Sequence, residues 1–336
     1  PLICTFHTQS SRGMPKKTEV NWIYAYYQGI KDSSITVGAY IRQIMEYLVD
    51  GLERKAFYYD QKKANAAIEW IEEHTFHTEG KLAPSNLILE LWEKAFVSAL
   101  FGIVDENGLR QFREAVLIIG RKNGKSLLAA AIAKYIWQIE GGFGAKVYNI
   151  APKLDQADII YNNIWQMTLL DPEYQALKEY YSEKDHQKRK VHDDSDLPKH
   201  RQTDLFITAS NSQVKKIAFS AKKSDGFNPS LCICDEIASW EGDAGLKQYE
   251  VMKSGMGARE EGILLSCTTA GYINDSIYDE IFKRCTRFLK GDSKERKLLP
   301  FLYVIDDISK WNDINELRKS NPNLGVSVSV DFMLEE

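Results

Sequence analysis

A mainly parallel α/β sheet, covered by helices on both faces and preceded by a small helical appendage, is the fold that this sequence predicts. Three observations carry the prediction. Short, largely apolar runs recur, among them Ala115-Val116-Leu117-Ile118-Ile119, Lys146-Val147-Tyr148-Asn149-Ile150-Ala151 and Leu231-Cys232-Ile233-Cys234, as strands buried on both faces require. Stretches of helical character separate them, the alternation that builds parallel sheets. The first run also ends in a glycine-containing turn, Gly120 to Gly124, that opens straight into the next helical stretch. That is the local pattern of an anion site at a helix N-terminus.

The chain of 336 residues has room for one large α/β domain and an appendage. From Ser34 to His77 apolar residues recur at three-to-four spacing, first Ile41, Ile44, Met45, Leu48 and Leu52, then Ala64, Ala67, Ile68 and Ile71. This spacing predicts a helical appendage over residues 1–85. The polar stretch Lys81 to Asn86 marks a boundary, with Ser85 or Asn86 available to cap a helix from Leu87 to Leu100. The main domain, residues 86–305, then reads as the strand 115–119, a helix from Ser126 to Ile139, the strand 146–151 and a helix from Asp155 to Leu169. Further strands are expected near 205–209, 216–220, 231–234 and 262–267. Residues 178–202 carry dense charge of both signs and read as a solvated loop or hairpin without chemistry. Residues 306–336 read as a linker.

Composition excludes several classes. A net charge of -4 argues against a uniformly basic DNA-coating protein, while leaving room for a local basic channel. No run of about 18 apolar residues is present, so no membrane span is expected. The chain opens on Pro1, and Leu2 to Phe6 is too short an apolar run for a signal peptide. Five cysteines, an odd number without a Cys-x-x-Cys pair, point to a reducing compartment. Cys232 and Cys234, two apart in an apolar run, read as packing residues on one strand face. His74 and His77 lack acidic or cysteine companions at metal-ligand spacing.

The chemistry starts at Gly120-Arg121-Lys122-Asn123-Gly124-Lys125-Ser126. Backbone N–H groups of such a loop can wrap a phosphate, and the helix that follows adds its dipole. Lys125 would reach the β- and γ-phosphates, and the Ser126 hydroxyl would ligate Mg²⁺. The glycine that usually opens such loops would fall at position 119, which is Ile119, with Gly120 one place late. A second signal lies at Asp235-Glu236, where an apolar strand ends in two acids. Parallel strands deliver their C-terminal ends to the ligand crevice. There Asp235 can hold the metal's hydration shell and Glu236 can polarise an attacking water. The two signals in one sheet predict a P-loop NTPase of the strand–Asp–Glu class, hydrolysing ATP with Mg²⁺.

At these residues the sequence resembles the large terminase subunits of tailed bacteriophages, which cut and pump DNA into capsids. The loop is similar to the terminase variant Arg-x-x-Gly-Lys-Ser/Thr through Arg121, Gly124, Lys125 and Ser126, a variant that lacks the early glycine. Leu91 to Phe96 with Leu100-Phe101-Gly102 resembles the family's adenine-side segment, which implies nucleotide contacts from Trp92 and Glu93; the family usually has Gln at the place of Glu93. Ala151 to Ala157, Asp225 to Pro229 and Asn321-Pro322-Asn323-Leu324-Gly325 are similar to family stretches, the last lying between motor and nuclease. Thr268-Thr269-Ala270-Gly271 resembles the motif that couples hydrolysis to DNA movement.

The resemblance implies Glu236, Lys125 and Arg121 as catalytic residues, and double-stranded DNA, a small terminase subunit and a procapsid portal protein as partners. It also implies a homo-oligomeric ring acting in the cytoplasm of the bacterial host. Ring motors complete the site with a neighbour's arginine, for which Arg259 is a candidate. Nuclease activity is not expected from this chain alone. Asp306, Asp307 and Asp313 near its end read as linker acids, and Phe301 to Ile305 as a linker strand. Alternatives are a helicase-like or other DNA-translocating P-loop ATPase, and a non-catalytic prophage remnant.

Overall fold

The computed structural model describes residues 20–188, 194–218, 227–240, 242–269 and 277–335. Its centre is an eight-stranded sheet in which only one edge is antiparallel. In chain order the strands of that sheet are β3 (Glu114–Ile118), β4 (Lys146–Ala151), β5 (Lys199–His200), β6 (Asp204–Ile207), β7 (Ser212–Ala218), β8 (Leu231–Asp235), β9 (Ile263–Thr268) and β10 (Leu298–Leu302). A separate two-stranded ribbon pairs β1 (Tyr58–Tyr59) with β2 (Ile103–Val104).

Across the large sheet the order is β10-β3-β9-β8-β4-β7-β6-β5. From β10 to β7 every pair is parallel, and β6 and β5 turn back antiparallel at one edge. Every residue of β3, β8, β9 and β10 is buried, as the apolar runs required. Strand β6, next to the short edge strand β5, alternates half-buried and buried residues, as a strand with one wetter face should.

The helices are α1 (Trp22–Lys31), α2 (Ala39–Glu53), α3 (Gln61–His74), α4 (Leu91–Gly102), α5 (Lys125–Tyr135), α6 (Leu154–Leu170), α7 (Pro172–Lys188), α8 (Gly242–Gly255), α9 (Ile277–Leu289), α10 (Ile314–Ser320) and α11 (Val330–Glu335). Right-handed crossovers decide which face each covers. The connection from β3 through α5 to β4 runs one way across the sheet. Those from β8 through α8 to β9, and from β9 through α9 to β10, run the other way. The helices therefore fall on opposite faces, and α5 packs beside α6.

The structure departs from several sequence expectations. The N-terminal helices are not set apart, because Ile23, Tyr26, Ile44 and Leu48 belong to the same core as Phe96, Leu117 and Phe301. Tyr26 reaches Tyr303, hydroxyl to hydroxyl at 3.2 Å, and Ala39 N donates to Asp306 Oδ1 at 2.8 Å. Helix α4 starts at Leu91, and its N-cap is Glu90 in a reciprocal capping box with Glu93. Asn86 instead closes the end of α3, its amide donating to the carbonyls of Glu72 and Glu73 at 3.0 Å each. The charged stretch expected as a loop from 178 continues α7 to Lys188 and later contributes β5.

Of the run 301–305 expected as a linker strand, only Phe301 and Leu302 are strand, as the end of β10, which is bonded directly to the strand before the phosphate loop. The three nearby acids perform local work: Asp306 pairs with Lys319, Asp307 caps the short turn at Ile308 and Asp313 caps α10.

Candidate active site

The phosphate loop leaves β3 at Ile119, whose N–H still bonds to the carbonyl of Thr268 at 3.1 Å, and enters α5 at Lys125. Lys122 and Gly124 take left-handed backbone, with φ of 63° and 81°. Left-handed residues interleaved with right-handed ones wind successive amides into an anion-binding concavity. Arg121 and Lys122 are exposed at its rim, whereas Asn123 is buried.

Strand β9 lies between the phosphate-loop strand and the acidic strand β8. Three strand ends therefore converge: Gly120 after β3, Asp235-Glu236 at β8 and Thr268-Thr269 at β9. In regular strand geometry Asp235 and Glu236 would face opposite sides of the sheet. Glu236 breaks the alternation with left-handed backbone, φ 50° and ψ 51°, a conformation costing a non-glycine residue about 1–3 kcal/mol. The turn lets both acids address Lys125.

Lys125 Nζ lies 2.9 Å from Glu236 Oε2. The other carboxylate oxygen, Oε1, accepts from Thr269 N at 3.1 Å and Thr269 Oγ1 at 2.7 Å, with Thr268 Oγ1 at 3.1 Å. Burial pushes the Glu236 carboxyl up, but Lys125 and Thr269 outweigh it and hold it below the usual range. Burial dominates for Asp235 and raises it to about 6, against the pull of Lys125. Asp235 Oδ1 is buried without a hydrogen-bond partner. A carboxylate oxygen left so, close enough to Lys125 to feel its charge, fits a hard cation with oxygen ligands such as Mg²⁺, and Asp235 and Ser126 are the residues that would hold it.

Trp92 and Glu93 lie behind the loop rather than in front of it. Trp92 is buried, and its Nε1 donates to Asn323 Oδ1 at 2.7 Å, so its ring is not free to stack on a base. Glu93 is 5% exposed and faces Gly124. Burial raises its carboxyl to about 8, helped by the charges of Glu90 and Glu72. At neutral pH Glu93 is therefore mainly protonated and offers one donor and one acceptor, as a glutamine does.

This predicts a pH-dependent stability difference. Between about pH 4.5 and 8 the folded chain keeps a proton on Glu93 that the unfolded chain has released, so this group makes stability fall as pH rises through that window. Glu93→Gln keeps the acceptor for Glu90 N and removes the ionisation. The variant should match the parent near pH 5 and exceed it by a few kcal/mol near pH 8 in urea unfolding. An equal difference at both pH values would show that the carboxyl is not held neutral.

Arg259 is not brought to this site. It follows α8 at the far end of β9, and its guanidinium bonds to the carbonyl and side chain of Asn228 at 3.1 Å and to the carbonyl of Gly144 at 2.6 Å. Those bonds would have to break before it could serve a neighbour. Ala270 and Gly271 of the coupling segment, and Asp225 and Gly226 upstream of β8, lie outside the described residues.

Sequence reasoning marked Asn321 to Gly325 only as a stretch between motor and nuclease, whereas the structure places residues 320–327 against the phosphate loop. Gly120 N donates to the carbonyl of Ser320 at 2.9 Å, and a Cβ at Gly120 would stand 2.1 Å from Asn321 Oδ1. The late glycine thus belongs to this close approach. The Asn-Pro-Asn pattern carries no periodic signal, and only the folded chain shows its two amides behind the loop.

A family model described as the ATPase domain of the terminase large subunit matches residues 91–287, more than half of the chain. The terminase large subunit of Lactococcus phage p2 is 24% identical over 313 residues, covering 91% of this chain and 53% of that protein. Protein YmfN of Escherichia coli (strain K12) is 34% identical over 116 residues, 34% of this chain and 25% of that protein. Among solved structures, the large terminase of bacteriophage HK97 superposes with a TM-score of 0.63 at 20% identity, over 81% of this chain and 50% of that one. The chain spans about half the length of the phage relatives it matches or less.

Proposed function

This chain belongs to the terminase large subunit ATPase-domain family, and from that premise we propose that it hydrolyses ATP to drive double-stranded DNA into a procapsid. The observation that carries the reading is the convergence of Lys125 and Thr269 on the two carboxylate oxygens of Glu236. Family membership favours it over a helicase-like motor. The intact set Lys125, Ser126, Asp235 and Glu236 favours it over a non-catalytic remnant.

In this reading the loop from Gly120 to Gly124 binds the phosphates through its amides, and Lys125 leaves Glu236 for the γ-phosphate. Asp235 and Ser126 would hold Mg²⁺, which when bound would supply positive charge to the phosphate oxygens. Released from Lys125, Glu236 orients the attacking water and takes up its proton. Thr269 holds Glu236 Oε1 and sits at the end of β9, so a shift of that strand end on phosphate release reaches the coupling segment. Arg121, exposed at the rim, is the arginine we assign to the reacting phosphates. The division we keep is a helical appendage over residues 1–85, the motor domain over 86–305 and a linker over 306–336. The partners we assign are DNA, a small terminase subunit and a portal, with ring assembly, in the cytoplasm of the host bacterium.

The test is steady-state ATP hydrolysis with and without double-stranded DNA. The parent chain should turn over weakly alone and faster with DNA. Thr269→Val keeps the shape and the backbone N–H but removes the 2.7 Å bond to Glu236. It should lose proportionally more of the DNA-stimulated rate than of the basal rate. Equal loss of both would reduce Thr269 to a plain catalytic-site residue, and no hydrolysis in the parent would remove the proposal.

A further inference from the structure

A loop can present its amides to phosphate only if its carbonyls turn the other way, and buried carbonyls need donors. Here those donors come from two sources, Asn123 itself and residues more than 190 positions downstream. The Asn123 side-chain nitrogen lies 3.1 Å from the carbonyls of Gly120 and Arg121 and 2.7 Å from Asn321 Oδ1. Ser327 Oγ donates to the carbonyl of Lys122 at 2.9 Å. Asn323 Nδ2 donates to the carbonyl of Asn123 at 3.2 Å, while Asn323 N donates to Asn123 Oδ1 at 3.0 Å. The carbonyl of Gly124 already serves α5, accepting from Leu128 N at 2.9 Å. Every carbonyl from Gly120 to Gly124 is thus accounted for. Asn323 is in turn fixed from α4 by Trp92.

We propose that residues 320–327 form a strap that is a working part of the nucleotide site: Asn321 and Asn323 are positioning residues that hold the phosphate loop in its phosphate-binding shape. The proposal rests on the reading that this loop binds ATP. Thermodynamic linkage makes the effect reciprocal, because whatever the strap contributes to nucleotide affinity the nucleotide returns as strap stability. Occupancy of the loop is thereby felt at α11, which begins three residues beyond Ser327. Loss of Asn323 leaves the Asn123 carbonyl and Trp92 Nε1 buried without partners, a penalty large enough to reshape a loop.

The experiment combines ATP titration in Mg²⁺, steady-state kinetics and amide hydrogen exchange on the full chain. In the parent, saturating ATP should slow exchange across residues 320–328. Lys125→Ala, which should bind no nucleotide, should show no such protection. Asn323→Ala should weaken ATP binding by about tenfold or more, with the loss falling on KM more than on kcat. Asn323→Asp keeps an acceptor for Trp92 but lacks the donor to the Asn123 carbonyl, so it should not restore affinity. Should Asn323→Ala fail to fold, Ser327→Ala removes one exposed bond to the loop and should still weaken binding by about two- to threefold. If the parent binds ATP but the strap gains no protection and the variants bind normally, the strap inference is overturned alone. If the parent binds no ATP, the ATPase reading falls and takes the strap with it.

Discussion

Glu236→Gln is expected to hydrolyse ATP at least about 100-fold more slowly than the parent chain while still binding it in the presence of Mg²⁺. The geometry separates the two properties. In the proposed site the loop and Lys125 bind the phosphates and Ser126 helps to hold Mg²⁺, and none of them would need Glu236 to do so. Glutamine fills the same volume and its oxygen still accepts from Thr269, which bonds Glu236 Oε1 at 2.7 Å and 3.1 Å. Its amide end cannot pair with Lys125, so the resting contact at 2.9 Å is lost and Lys125 is released for phosphate. Binding should therefore be unchanged or tighter, while the proton acceptor is gone. Lys125 and Thr269 hold the Glu236 carboxyl below its ordinary range, so the parent keeps an ionised acceptor through neutral and mildly acid pH. Single-turnover hydrolysis beside an equilibrium titration reads the two quantities apart. A parallel fall in both would make Glu236 a prop for Lys125 and assign the water to another residue.

What could be read in the sequence follows from how local each signal is. The strands β3, β4, β8 and β9 were legible because burial on both faces leaves a continuous apolar run. The phosphate loop and Asp235-Glu236 were legible because their chemistry demands certain residue types at short spacing. That both signals serve one crevice follows from strand-end geometry, and the structure adds that β9 lies between them. Hence the threonines at the end of β9 touch Glu236, a contact no spacing rule could supply.

What the sequence left hidden has a common cause in long-range pairing. Arg259, a candidate to serve a neighbour, has its guanidinium engaged by Asn228 and Gly144 at the far end of the sheet, partners distant from it in sequence. Phe301 looked like a connector because its neighbour in space, Leu117, is far from it in sequence. Trp92, expected with Glu93 as a nucleotide contact, is buried and bonded to Asn323, a partner more than 200 positions away. The charged face of α7 hid a helix whose apolar positions are few.

Lys125→Ala is expected to abolish detectable ATP binding and hydrolysis, and to lower thermal stability most at neutral and higher pH. Two different losses combine in one side chain. Toward nucleotide, Lys125 is the ammonium at the start of α5 that in the proposed site would face the phosphates, and alanine would leave their charge to the loop amides alone. Toward its own chain, Lys125 is the cation beside a buried acid and a half-buried one, drawing Asp235 down against burial and pairing with Glu236 at 2.9 Å. Glu236 is a carboxylate whose folded value is depressed, so its pairing contributes stability above the unfolded carboxylate range and loses it as pH falls through the folded value. Removing Lys125 should accordingly destabilise the chain at pH 7–8, and the difference from the parent should shrink as the pH approaches about 4, where the carboxylates take up protons. Lys125→Arg separates the two roles: it keeps a cation for Glu236, and so most of the stability, while the planar guanidinium does not reproduce the point charge at the phosphates. Melting curves across pH, beside ATP titration of both variants, give the comparison. Full hydrolysis by Lys125→Ala would sink the assignment of this loop as the nucleotide site, whereas a pH-independent loss of stability would show that the Lys125–Glu236 pair contributes nothing in the resting chain.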